Sequence, residues 1–279
     1  MARHPQVLIT GAGGQVGHAL RPLLPDARFA TRADLDITDR PGVTRAAQGT
    51  DVIVHLAANT HVDWCEQNVD EAGSVNSAGT ANVAQAAREA GARVIYVSTD
   101  FVFAGDSDGE YSETDTTSPV NVYGATKLAG EAHLDPTDDL TVRSSWIFGE
   151  GHNFVRTILQ LADEGPLRVL DDQRGRPTAA VELARALVFL INEEATGTIH
   201  VAGDGDPATW AELAEVALEA AGRAVALTRI DTPTYVAEAA RSIAPRPANS
   251  ALALDKARGL QVPLLDWRTS VANYVEAIT

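Results

Sequence analysis

The apolar run Gln6 to Thr10 is closed by Gly11-Ala12-Gly13-Gly14-Gln15-Val16-Gly17, and a helical pattern follows through Leu24. A strand, a glycine turn and a helix in that order leave few folds open. The glycines fall as Gly-x-x-Gly-x-x-Gly. Gly11 permits the tight turn, Gly14 lets backbone approach a pyrophosphate, and Gly17 lets the helix pack on the strand. The helix N-terminus, with Gln15 and Val16, then faces the phosphates. Arg28–Thr31, Asp51–Leu56 and Arg93–Ser98 read as further strands, and Ser74–Ala90 as an alanine-rich helix. The alternation implies a parallel sheet with right-handed crossovers, an α/β chain of the Rossmann-type doubly wound class. Ligands in such sheets bind beyond the C-terminal ends of the strands. Gly11, Ala57 and Thr99 follow three of those ends. The small residues of Leu56-Ala57-Ala58, with Thr60 beyond them, let a cofactor lie close.

The second strand indicates which dinucleotide. An NAD-type fold ends that strand in an acid that holds the adenosine 2′-hydroxyl. Here the place holds Thr31-Arg32, and an arginine can pair with a 2′-phosphate. NADPH is therefore the expected cofactor, with NADH as the alternative. Asp36-Ile37 follows where a side chain meets the adenine, although Asp36 reads equally well as a turn cap.

Tyr123 and Lys127 are four residues apart and share one face of a helix. A free phenol has a pKa near ~10, and a neighbouring ammonium favours the phenolate. The pair can give a proton to a ketone oxygen or take one from an alcohol. Tyr-x-x-x-Lys alone is common on exposed helices. Yet of 22 Lys+Arg only Lys127 and Lys256 are lysine, so a chain built on arginine has placed one of its two lysines here. Thr99, at its strand end, is expected beside Tyr123, able to hydrogen-bond the same oxygen.

The net charge of −16 argues against nucleic acid or an anionic membrane as partner. It also means that an anionic ligand needs a local positive pocket. Arg176 and Arg246, each beside a proline that stiffens its loop, are the candidates for a diphosphate. The lone Cys65 excludes an internal disulfide and fits a cytoplasmic setting. No residues group as metal ligands.

Ser-Thr-Asp-Phe-Val-Phe at 98–103, Asn-Val-Tyr-Gly-Ala-Thr-Lys-Leu-Ala-Gly-Glu at 121–131 and Arg-Ser-Ser-Trp-Ile-Phe at 143–148 resemble the extended short-chain dehydrogenase/reductases. More narrowly, with Asn59–Asp63, Asn153-Phe154, Asp172–Thr178 and Arg246–Ser250, the chain resembles the dTDP-4-dehydrorhamnose reductase family over nearly its whole length. The resemblance implies hydride transfer from NADPH or NADH to C4 of a dTDP-linked 4-keto-6-deoxy sugar. Tyr123 would protonate the new alcohol, Lys127 would lower the tyrosine pKa and hold the nicotinamide ribose, and Thr99 would align the carbonyl. Val62, Asp100, Phe101 and Trp146 would line the sugar pocket, with Asn153 among the matched residues on that side. Phe101 departs from the tyrosine usual in the family. Some members build a magnesium-linked dimer through a glutamate where this chain has Ala19, so any homodimer is expected to be of another kind.

Residues 1–150 are expected to form the dinucleotide domain, with 179–203 returning to it. Residues 151–279 mainly form a smaller, interleaved substrate-binding domain. Trp210 and Trp267 read as packing residues, and Thr209 as a helix cap. Two alternatives stay open: a 4-ketoreductase of a secondary-metabolite deoxysugar, and a non-catalytic NADP-binding regulatory subunit. Dehydratases need a carboxylate pair near Thr99, where only Asp100 is adjacent.

Overall fold

The computed structural model describes residues 5–239 and 242–279. Six strands form one sheet: β1 (Val7–Thr10), β2 (Arg28–Ala30), β3 (Val52–His55), β4 (Arg93–Thr99), β5 (Leu140–Ser144) and β6 (Gly197–His200). Their order is β6-β5-β4-β3-β1-β2, and every pairing is parallel. β1, β3 and β5 are buried along their full length, as befits strands covered on both faces. Side chains alternate between the faces. Ile9, Val54 and Ile95 pack with Leu183, Leu187 and Leu190 of the helix Ala180–Asn192. Leu8, Ile53 and Tyr96 pack on the other side with Val83 and Ala87 of the helix Thr80–Ala90. Each such leucine removed from water contributes about 1.5–3 kcal/mol. The chain leaves β1 to one side for β2 and to the other for β3, which opens a crevice at their C-terminal ends.

The predicted helix over 74–90 is not uniform. Ser74–Gly79 is a π-helical stretch, and the α-helix begins at Thr80. The wider turn carries Asn76, whose Oδ1 accepts from Asn59 N–H at 2.7 Å and whose Nδ2 donates to Thr126 Oγ1 at 3.1 Å. It thereby ties the loop after β3 to the helix that bears Tyr123.

A second core gathers Phe148, Val155, Leu159, Val169, Ala214, Trp267 and Val271. It lies among the helices Phe154–Ala162, Trp210–Ala220 and Trp267–Ile278 and a parallel pair, Leu167–Leu170 with Leu227–Ile230. Thr209 caps its helix in a reciprocal box with Glu212. Trp267 is fully buried and its indole N–H donates to Asp206 O at 2.9 Å. The chain then crosses back: Ala180–Asn192 packs on the first core and β6 pairs with β5. Among the described residues no helix is long and apolar enough to cross a membrane.

Two interior histidines make the fold sensitive to acid. His55 is fully buried between Thr10 Oγ1 at 2.7 Å and Thr80 Oγ1 at 3.1 Å, and His200 is fully buried edge-on to Phe103. Burial lowers each pKa from 6.5 to about 3, helped by the Lys127 charge near His55 and the Arg143 charge near His200. Both rings are neutral in the folded chain and would bind a proton when unfolded. Their contribution to stability is therefore complete above about pH 6.5 and is lost as the pH falls towards 3. His200→Leu should flatten that loss by about 1.4 kcal/mol per pH unit between pH 6 and 4. Denaturant melts across that range check it; an unchanged slope would show that His200 does not drive the acid transition.

Candidate active site

A cleft of about 1440 Å³ lies where the ends of β1, β3, β4 and β5 meet the second core. Gly11 forms its floor with φ of +68°, and a Cβ there would sit 2.5 Å from the Ala57 amide nitrogen. Only glycine lets the two strand ends approach so closely. Gly14, Gln15, Val16 and Gly17 continue the lining, opposite Leu56, Ala57, Ala58 and Thr60. Gln15 Oε1 and Ser144 Oγ are buried without a hydrogen-bond partner among the described residues, and both residues line this cleft. Buried polar atoms are normally paired, so this wall suits a ligand rich in donors and acceptors. A dinucleotide fits that requirement.

Arg32, Asp36 and Ile37 line the far end of the cleft. Asp36 does act as a turn cap: its Oδ1 accepts from Thr38 N–H at 2.9 Å and from the Thr38 hydroxyl at 2.7 Å. Thr31 needs correction. It lies outside the cleft lining, and its hydroxyl donates to Asp34 at 2.7 Å. Asp34, a carboxylate three positions on, folds back onto the end of β2.

The helix Val122–Glu131 presents Tyr123 and Lys127 to the cleft. Asn121 caps it, its Oδ1 accepting from Gly124 N–H at 2.8 Å. Gly124 rides on the turn Asp100–Val102 so closely that a Cβ would lie 2.1 Å from Phe101 O. That contact holds Tyr123 over the end of β4. At the far end of the helix, Glu131 accepts from Ser98 Oγ at 2.5 Å and from Arg143 at 2.8 Å in a largely buried ion pair. Removing one partner of such a pair costs about 3–5 kcal/mol, so the helix is fixed at both ends.

The electrostatics differ from expectation. Burial pushes the Tyr123 phenol well above its usual 10, the Thr99 hydroxyl offsets part of this, and the Asp100 charge adds to it. Lys127 is held against β4. Its Nζ donates to Val97 O at 2.8 Å and lies 4.0 Å from the centre of the Tyr96 ring. Burial lowers its own pKa to about 7, with Glu131 acting in the opposite direction. The phenol thus keeps its proton at neutral pH, the state a general acid requires.

Thr99, Asp100, Phe101, Val62 and Trp146 all line the same cleft. Phe101 meets the Tyr123 ring edge-on at 6.0 Å. Trp146 adopts φ of 45° and stacks on Trp210 at 3.6 Å between ring centres. Trp210 is therefore a wall of the cleft and not merely a packing residue, and its indole N–H donates to Gln173 at 3.2 Å. No local spacing marked Trp210, because its partner lies 64 positions earlier in the chain.

Of the two candidate arginines, Arg246 reaches the cleft, where it pairs with Asp63. Arg176 does not. It is 1% exposed and its guanidinium is taken by Leu252 O at 2.8 Å, Gly203 O, Gly205 O and Glu110. It ties residues 110, 203, 205 and 252 together and lies outside the cleft lining. Asn153 is corrected likewise: it is 6% exposed, caps the helix Phe154–Ala162 through Arg156 N–H, and donates to Gly149 O and the Tyr274 hydroxyl.

A family model described as the RmlD substrate binding domain matches residues 5–279. The dTDP-4-dehydrorhamnose reductase of Shigella flexneri is 37% identical, over 98% of this chain and 97% of its own length. A dTDP-4-keto-6-deoxy-D-glucose reductase of Streptomyces niveus is 39% identical over 77% of this chain and 78% of its own. The solved dTDP-4-dehydrorhamnose reductase of Bacillus anthracis, in complex with NADP, superposes with a TM-score of 0.90 at 33% identity, covering 98% of this chain and 99% of that one.

Proposed function

From the premise that this chain belongs to the dTDP-4-dehydrorhamnose reductase family, the family of the RmlD substrate binding domain, we propose that it reduces the C4 ketone of a dTDP-4-keto-6-deoxy sugar with NADPH. The first-choice reaction is dTDP-4-dehydro-L-rhamnose to dTDP-L-rhamnose. The carrying observation is that Thr99, Tyr123 and Lys127 meet in one cleft with the glycine loop. A related deoxysugar ketoreductase is the second reading, favoured by the relative from Streptomyces niveus.

NADPH, when bound, supplies the hydride. Tyr123 carries the proton destined for the carbonyl oxygen. Thr99 orients that oxygen, and Lys127 is placed to hold the nicotinamide ribose. Val62, Phe101 and the Trp146 face enclose the sugar and exclude water. Arg246, already paired with Asp63, is the remaining arginine candidate for the diphosphate. On this reading residues 1–150 with 179–203 hold the dinucleotide, and the rest of 151–279 mainly shapes the sugar pocket. The single cysteine agrees with a cytoplasmic setting. The methyl group of Ala19 offers a magnesium ion no ligand, so any homodimer would use another contact.

The test is NADPH oxidation with a panel of dTDP-4-keto-6-deoxyhexoses, the product configuration being read by NMR. Cofactor binding without turnover on any keto sugar would favour the regulatory-subunit reading. Arg32→Ala should lower the preference for NADPH over NADH about tenfold or more, the scale of a charge-assisted hydrogen bond. A cofactor ratio that does not move would remove Arg32 from the 2′-phosphate.

A further inference from the structure

Thr99 has one hydroxyl proton and two lone pairs. Its proton goes to Asp100 Oδ1 at 2.9 Å, and one lone pair accepts Phe101 N–H at 3.2 Å. A ketone oxygen only accepts, so a Thr99 hydroxyl committed to Asp100 cannot hold a substrate carbonyl. In that arrangement the Thr99 proton points inward, to Asp100, and away from the sugar.

Asp100 is itself held from behind. It is 2% exposed, and Ser250, from the distant loop Arg246–Ser250, donates to its Oδ2 at 2.5 Å. Ser250 Oγ also lies 3.4 Å from Arg174 O and can give its proton there instead. We propose that Asp100, clamped by Ser250, is a positioning residue for the ketone reduction: in its acid form it donates to Thr99 Oγ1 and turns the Thr99 proton outward to the substrate carbonyl. The Thr99 oxygen then accepts from both Asp100 and Phe101 N–H and donates to the ketone, so all of its capacity is used. Tyr123, buried and protonated beside it, gives its proton to the oxygen at C4. Asp100 takes its proton from solvent and keeps it through the turnover, so no extra reactant is needed. Burial holds its pKa up at about 7, against the lowering pull of Ser250 and Thr99. Facing it are Tyr123 from the helix Val122–Glu131 and Ser250 from the C-terminal loop. Lys127 and the Arg246–Asp63 pair line the same cleft.

The inference rests on the ketoreductase reading, and the pH dependence of kcat/KM separates the two. Wild type should lose kcat/KM on the alkaline side as Asp100 ionises. Ser250→Ala removes a donor that favours the carboxylate, so this alkaline limb should move up by about 0.5–1 pH unit. Asp100→Asn, which cannot ionise, should abolish the Asp100 limb and leave only that of Lys127. Circular dichroism and melting of both variants check that they fold. A folded Ser250→Ala protein with the wild-type limb overturns the proposal. So does an Asp100→Asn protein whose alkaline limb still moves when Ser250→Ala is added. A wild type without turnover on any keto sugar instead overturns the function.

Discussion

Tyr123→Phe should bind NADPH as the parent does and reduce its keto sugar about 100- to 10,000-fold more slowly, the range for a lost general acid. The argument is geometric first. Gly124 seats the helix start directly on Phe101 O, so the phenol ring is placed by backbone contacts that the substitution does not touch. The ring also keeps its edge contact with Phe101. What disappears is one hydroxyl whose proton burial holds in place at neutral pH. The variant isolates that proton from binding. Titration of NADPH against both proteins, beside single-turnover reduction, checks it. Equal rates would take Tyr123 out of the chemistry and force another donor to be found.

Gly11→Ala should weaken NADPH binding by more than about 100-fold and lower the melting temperature. Two costs add. A non-glycine residue held at φ of +68° carries a strain of about 1–3 kcal/mol. The new methyl would also lie 2.5 Å from Ala57 N and 2.6 Å from its Cα, backbone atoms fixed at the end of β3. Relief requires the glycine loop or the Ala57 turn to retreat, and both line the cleft. Gly49→Ala is the control: it shares φ of +69° but meets nothing within 4 Å, so it carries the strain alone. Calorimetric titration of the two variants separates strain from collision. If both bind NADPH like the parent, the close passage at Gly11 is irrelevant to the cofactor.

The contrast between these residues shows what the amino-acid order could convey. The glycine loop and the Tyr123/Lys127 spacing are local patterns tied to backbone geometry, so they point to the sheet, the crevice and the helix before any coordinates. Depth is not a local pattern. The Lys127 ammonium is fixed by Val97 O, a partner on a strand 30 positions away. Arg176 looked like a phosphate ligand because proline stiffens its loop. Its fate was decided by carbonyls at 203, 205 and 252, which no neighbouring residue announces. Asn153 was drawn to the sugar by a motif, but it serves as a cap whose other partner, Tyr274, sits on the last helix. Asp34 is legible in principle, since Thr-x-x-Asp is a capping-box spacing; its fold-back onto β2 lies beyond the apolar pattern that marks the strand.

The strand β6 bears on how enzymes of this shape can be recombined. It reaches β5 only after the chain has already laid down Phe154–Ala162 and Leu167–Leu170 elsewhere. A chimera joined once near residue 150 would seat a foreign strand along β5 and a foreign helix against Ile9 and Val54. Exchanging the rest of the chain after residue 150 therefore calls for two grafts, 151–178 and 204–279, around a retained host insert.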